Sequence, residues 1–125
     1  MTTSLNILVA EDSMLNQRLA TGLLEQAGHT VTLAATGREA VTATRRDNFD
    51  LVLMDVEMPE MNGLDATAAI RSKETDGRHL PIVAVTATGD PIACLDAGMD
   101  DWLPKPLSIP KLNLALEKVF GRTAA

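Results

Sequence analysis

Five short apolar runs, each too brief to fill a helix, alternate along this chain with stretches of helical spacing, and few folds accommodate that alternation. The runs lie at 5–10, 30–35, 51–54, 81–85 and 101–103. Residues 51–54, Leu-Val-Leu-Met, are apolar without a break, the mark of a strand covered on both faces. Between the first two runs Leu15, Leu19, Leu23 and Ala27 recur about one turn apart, and Gly28 then suits a helix end. Thr36 and Glu39 fit a capping box at the start of a second helix. A third helix is expected over 62–71. In the last, Ser108 caps, Pro110 sits in the first turn, and Ile109, Leu112, Leu116 and Val119 form a buried stripe. Strands and helices in strict alternation predict an α/β class: a single doubly wound (βα)5 domain, a mostly parallel five-stranded sheet with helices on both faces.

Composition narrows the function. With 125 residues, 46% of them hydrophobic, the chain suits one domain with its own core and leaves no room for a second. The single Cys94 has no internal disulfide partner, and neither a charged-then-apolar leader nor a membrane-length apolar run stands out, so a cytoplasmic protein is expected. A formal charge of −6 opposes direct binding to nucleic acid or to an anionic membrane. One Trp, no Tyr and two Phe provide no base-stacking platform.

In doubly wound folds ligands sit beyond the carboxyl ends of the strands, and the strand ends of this chain carry polar groups. The first run ends in Glu11-Asp12, the third in Asp55, the fourth in Thr86, and Lys105-Pro106 follows the fifth. Three carboxylates, or four with Glu57, gathered at one sheet edge need compensating charge. Their oxygens, with no His or Cys cluster, fit Mg2+ or Mn2+ rather than Zn2+. Carboxylate, divalent cation, the Thr86 hydroxyl and the Lys105 ammonium together make a site for a phosphoryl group.

The same residues carry a resemblance. Glu11-Asp12, "LMDVEMPEMNG" around Asp55, "VTA" at 85–87 and "AGMDDWLPKP" at 97–106 resemble the receiver domain of two-component response regulators over 5–120. "EDSMLNQ" and "AGMDDWLPKP" are most similar to receivers of hybrid sensor histidine kinases. The resemblance implies a flavodoxin-like receiver domain over 1–125, with strand order 2-1-3-4-5. It implies that Asp55 accepts a phosphoryl group from a phosphohistidine, and that Asp12, Asp55 and the backbone carbonyl of Glu57 hold Mg2+, with Glu11 acting through water. Lys105 would neutralise the phosphoryl oxygens, Thr86 and Trp102 would form the switch, and the peptide before Pro106 would be cis. The partners implied are a sensor histidine kinase or a histidine phosphotransfer protein, chosen through the first helix around Leu15, Asn16 and Leu19. The unphosphorylated domain is expected to be a monomer.

Two departures from that pattern stand out. The span from Thr86 to Lys105 is about three residues short, which leaves Asp90 to cap, and Pro91 to open, a fourth helix of about two turns. Glu57 and Thr88 occupy the positions two past Asp55 and Thr86 that influence access of water to the acyl phosphate. A small Mg2+-dependent phosphatase with an Asp nucleophile, in which Glu57 is the second acid, and a phosphate-independent interaction module remain as alternatives. His29 and His79 read as surface residues, Met54, Met58 and Met61 as packing, and Cys94 as a small buried side chain.

Overall fold

In the computed structural model, which describes residues 4–75, 77–87 and 90–124, every apolar run becomes a strand and every periodic stretch a helix. The order is β1 (Asn6–Ala10), α1 (Met14–Gln26), β2 (Thr30–Ala34), α2 (Gly37–Arg46), β3 (Leu51–Asp55), α3 (Gly63–Ser72), β4 (Ile82–Thr86), α4 (Pro91–Asp96), β5 (Asp101–Pro104) and α5 (Ile109–Ala124). The strands form one sheet in the order β2-β1-β3-β4-β5, every neighbouring pair parallel, as expected from the sequence. The helical crossovers that parallel pairing requires cover both faces.

β3 lies in the middle, and all five of its residues are buried. Because side chains alternate along a strand, Leu51 and Leu53 pack on one face with Ala20, Leu24, Leu112 and Val119 of α1 and α5. Val52 and Met54 pack on the other with Ala40, Ala66, Ile70 and Cys94 of α2, α3 and α4. Each such fully buried aliphatic side chain stabilises the fold by about 1.5–3 kcal/mol. The run therefore clamps Asp55, its last residue, from both sides.

Helix starts follow their caps. Ser13, Thr36 and Asn62 each accept the N–H of the residue three on, at 3.3, 3.1 and 2.9 Å, and Asp90 accepts those of Ile92 and Ala93. α4 then runs only from Pro91 to Asp96, so the shortened fourth helix is as expected. Ile109, Leu112, Leu116 and Val119 of α5 pack in the core cluster as predicted.

Leu15 and Leu19 of α1 face outward, 66% and 51% exposed, while Ala20 and Leu24 bury the helix. One expectation fails: His29 is buried, not a surface residue. The turn after α1 folds it against the start of the sheet, where its Nδ1 accepts the Leu5 N–H at 3.0 Å.

At the opposite end of the sheet from Asp55, one side chain ties three segments together. Arg71 of α3 donates to the carbonyls of Gly98 at 2.9 Å and Leu80 at 2.7 Å, and pairs with Glu74 at 2.8 Å and Asp100 at 3.0 Å. Asp100 also accepts the Ile82 N–H at 2.9 Å and lies 2.6 Å from His79 Nε2. His79 itself is exposed, as expected. Gly98 has φ +106°, and a Cβ there would press on the Arg71 stem at 3.1 Å, so this turn requires glycine twice over.

Candidate functional site

Strand register brings the polar strand ends level. Ala10 pairs with Met54, so Glu11 stands beside Asp55; Asp55 pairs with Val85, and Thr86 with Pro104, which sets Lys105 one step further on. The carboxylates of Glu11, Asp12 and Asp55 come within 4.8 Å of one another. Glu11 and Asp55 are buried, at 5% and 4% exposed, and Asp12 is open to solvent. Lys105 Nζ bridges the two buried acids, 2.9 Å from Glu11 Oε1 and 3.1 Å from Asp55 Oδ2.

The polypeptide holds each group from the backbone. The Glu57 N–H donates to Asp55 Oδ1 at 3.2 Å, and the Lys105 N–H donates to the Thr86 carbonyl at 3.0 Å. The Lys105–Pro106 peptide is cis. Gly63, at the start of α3, packs so closely that a Cβ would run into the Asp55 carbonyl; α3 thereby props up the end of β3. Thr86 is buried at 2% exposed, whereas Trp102, on the edge strand β5, is 37% exposed. The Glu57 carboxylate is exposed and lies outside the three-acid group. Thr88 falls outside the described residues.

Electrostatics divide the two buried acids. Burial, with the charge of Glu11 beside it, outweighs Lys105 and the Glu57 N–H and pushes the Asp55 carboxyl up to about 6. Burial acts on Glu11 the same way, but the Lys105 ammonium and the Ser13 N–H overcome it and hold that carboxyl below its ordinary value. Lys105 loses solvation too, yet the two acids raise its pKa. Three carboxylates against one ammonium leave an excess of negative charge, made of oxygen alone and open to water on the Asp12 side. That donor set fits a hard divalent cation.

Between α1 and the segment after β5 lies a cavity of about 130 Å3, lined by Leu19, Leu23, Leu53 and Leu107 together with Asn16, Glu11, Asp55 and Lys105. Gln17 and Ser13 were not singled out by sequence, yet both grip Glu11: Gln17 Nε2 donates to its carbonyl at 2.7 Å and the Ser13 N–H to its Oε2 at 3.0 Å.

Comparison with known proteins places this geometry among relatives. The sequence model of the response regulator receiver domain matches residues 7–117. The aerobic respiration control sensor protein ArcB of Escherichia coli (strain K12) is 39% identical over 119 residues, covering 94% of this chain and 15% of that protein. The chain spans between 7% and 15% of the length of the first curated relatives that it matches. Among solved structures, the receiver domain of sensor histidine kinase PA1611 from Pseudomonas aeruginosa PAO1, with a magnesium ion coordinated in its active site cleft, superposes with a TM-score of 0.84 at 39% identity, covering 95% of this chain and 99% of that one. The co-crystal of the Saccharomyces cerevisiae histidine phosphotransfer signaling protein Ypd1 and the receiver domain of its downstream response regulator Ssk1 matches with a TM-score of 0.84 at 27% identity, covering 98% of this chain and 93% of that one.

Proposed function

Since this chain belongs to the response regulator receiver domain family, we infer that it works as a phosphoacceptor signalling switch in two-component phosphorelay, with Asp55 as the acceptor. The observation that carries this is one juxtaposition: Asp55, buried at a strand end, with Glu11 and Asp12 within 4.8 Å and Lys105 Nζ at 3.1 Å. A carboxylate oxygen of Asp55 attacks the phosphorus of a phosphohistidine. The O–P bond forms as the P–N bond breaks, and the electron pair of that bond stays on the imidazole nitrogen. Asp12, Asp55 and the Glu57 backbone carbonyl would hold Mg2+, or Mn2+ in its place, with Glu11 acting through water; a cation held there would supply Lewis-acid charge to the phosphoryl oxygens. Lys105 exchanges a carboxylate partner for a phosphoryl oxygen. The Thr86 hydroxyl then bonds the new group and Trp102 turns inward from its exposed edge, carrying the change to the surface of α4, β5 and α5.

We read residues 1–125 as one such domain, placed in the cytoplasm and partnered by a sensor histidine kinase or a histidine phosphotransfer protein. The exposed Met14, Leu15 and Leu19, next to the cavity that leads to Asp55, support α1 as the face where the phosphodonor docks. Self-catalysed loss of the phosphoryl group belongs to the same reading.

Labelling tests both points. Incubated with Mg2+ and a small phosphodonor such as phosphoramidate, the protein should gain one phosphoryl group by mass, and Asp55→Ala none. A variant labelled as fully as the wild type would place the acceptor elsewhere, and steady turnover of phosphate esters without labelling would favour the phosphatase. Leu15→Ser with Leu19→Ser should label normally from the small donor but about tenfold more slowly from a phosphohistidine protein, a loss on the order of 1.4 kcal/mol; equal slowing from both donors would remove α1 from partner recognition. With α4 reduced to Pro91–Asp96, loading with beryllofluoride should leave the sedimentation coefficient that of a monomer, and a shift to dimer would contradict this.

A further inference from the structure

We propose that Gln17 is a positioning residue for the cation site, acting through the backbone of Glu11. The proposal rests on reading Glu11, Asp12 and Asp55 as that site. Glu11 is 5% exposed, so each of its polar groups needs a protein partner. Its N–H donates to the Ala34 carbonyl at 2.9 Å, Oε1 meets Lys105 at 2.9 Å and Oε2 accepts the Ser13 N–H at 3.0 Å. Its carbonyl comes one residue after the end of the β1–β3 pairing at Ala10 and Met54, and Gln17 Nε2 takes it at 2.7 Å.

Gln17 is anchored at the same time. Its own N–H donates to the Ser13 carbonyl at 2.9 Å, and Ser13 Oγ caps the helix by accepting the Asn16 N–H. The segment of residues 11–13 is thus closed at both ends by the first turn of α1. Asp12 sits inside that loop and is itself exposed, so the peptide joining residues 11 and 12 sets where its carboxylate points. Without the Gln17 amide, a buried carbonyl loses its donor, and turning that peptide toward water is the cheapest relief. The turn would swing Asp12 away from Asp55 and undo the convergence of the three acids. Groups that orient metal ligands in this way set affinity without touching the ion.

The test is Mg2+ binding by calorimetry, with the metal alone as ligand. Gln17→Met keeps the length and helix propensity and deletes the donor, and its Kd should rise about tenfold or more over the wild type. Gln17→Asn, whose amide is one methylene too short, should show the same loss. Val119→Ala removes buried methyl groups from α5, away from the site, and should lower stability while leaving Kd unchanged. A Gln17→Met or Gln17→Asn Kd within twofold of wild type would overturn the inference, as would an equal weakening in Val119→Ala, which would mean that affinity merely follows stability. A wild type that binds no Mg2+ would instead overturn the cation site on which the inference rests.

Discussion

Arg71→Ala should lower unfolding stability by about 3–5 kcal/mol, although Arg71 lies far from the candidate site. The Arg71 side chain is 16% exposed and those of Glu74 and Asp100 17% and 18%. Its removal leaves two half-buried acids without their shared cation and takes the donor from the carbonyls of Leu80 and Gly98. Leaving a buried charge uncompensated is the expensive half of breaking such a pair. Arg71→Lys restores charge but cannot donate in four directions from one planar fork, and should recover only part of the loss. Urea unfolding of the three proteins decides the matter. A loss under about 1 kcal/mol for Arg71→Ala would mean that the network is solvated and worth no more than a surface pair.

Asp55→Asn should make the cation-free protein more stable at pH 7.5, by an amount on the order of 3 kcal/mol. The folded carboxyl titrates at about 6, against 3.8 for the ordinary group, so the native state holds this proton more tightly than the unfolded chain does. Stability contributed by the protonated acid is therefore present below about pH 4 and lost as pH rises through about 6. Asparagine keeps the shape and carries no charge to strand. The gap between variant and wild type should narrow as pH falls through about 6 and close below about pH 4. Glu11 has the opposite sign: its folded pKa is lowered, and its contribution is lost as pH falls. Comparing the two proteins in chelator at each pH isolates Asp55 together with Glu11 and Lys105, the groups coupled to it. A gap independent of pH would show that Asp55 carries no burial penalty. Adding Mg2+ at pH 7.5 should narrow it, the effect of a ligand that binds the native wild type more tightly than the variant.

Much of this was legible in the chain before folding, for reasons that name its limits. Strand positions and their alternation with helices follow from apolar runs and periodic stretches, whereas the strand order 2-1-3-4-5 is implied only by the resemblance. The polar residues that end those runs, Asp55 and Thr86 above all, converge because parallel strands end on the same side. The spacing of leucines in α1 does not say which face is buried, because Ala20 and Leu24 do the burying and an alanine hides easily in a pattern search. His29 was misjudged because its partner, the Leu5 N–H, lies 24 residues away. The Arg71 network was invisible for the same reason, joining residues up to 29 apart. Gln17 is nearer, six residues from Glu11, and "EDSMLNQ" held the signal: a cap, one helical turn and a long amide placed to reach back.

The outward stripe of α1 has a further consequence, in how such a chain can change over generations. Met14, Leu15 and Leu19 lie 69%, 66% and 51% exposed and belong to neither core cluster, so on the docking face proposed above substitutions would alter what docks without taxing the fold. Ala20 and Leu24, on the opposite face of the same helix, have no such freedom. With docking on the exposed face, a duplicated copy would be free to drift toward a new conversation partner while inheriting the buried residues intact, and cross-talk between sister copies would become a matter of a few surface side chains.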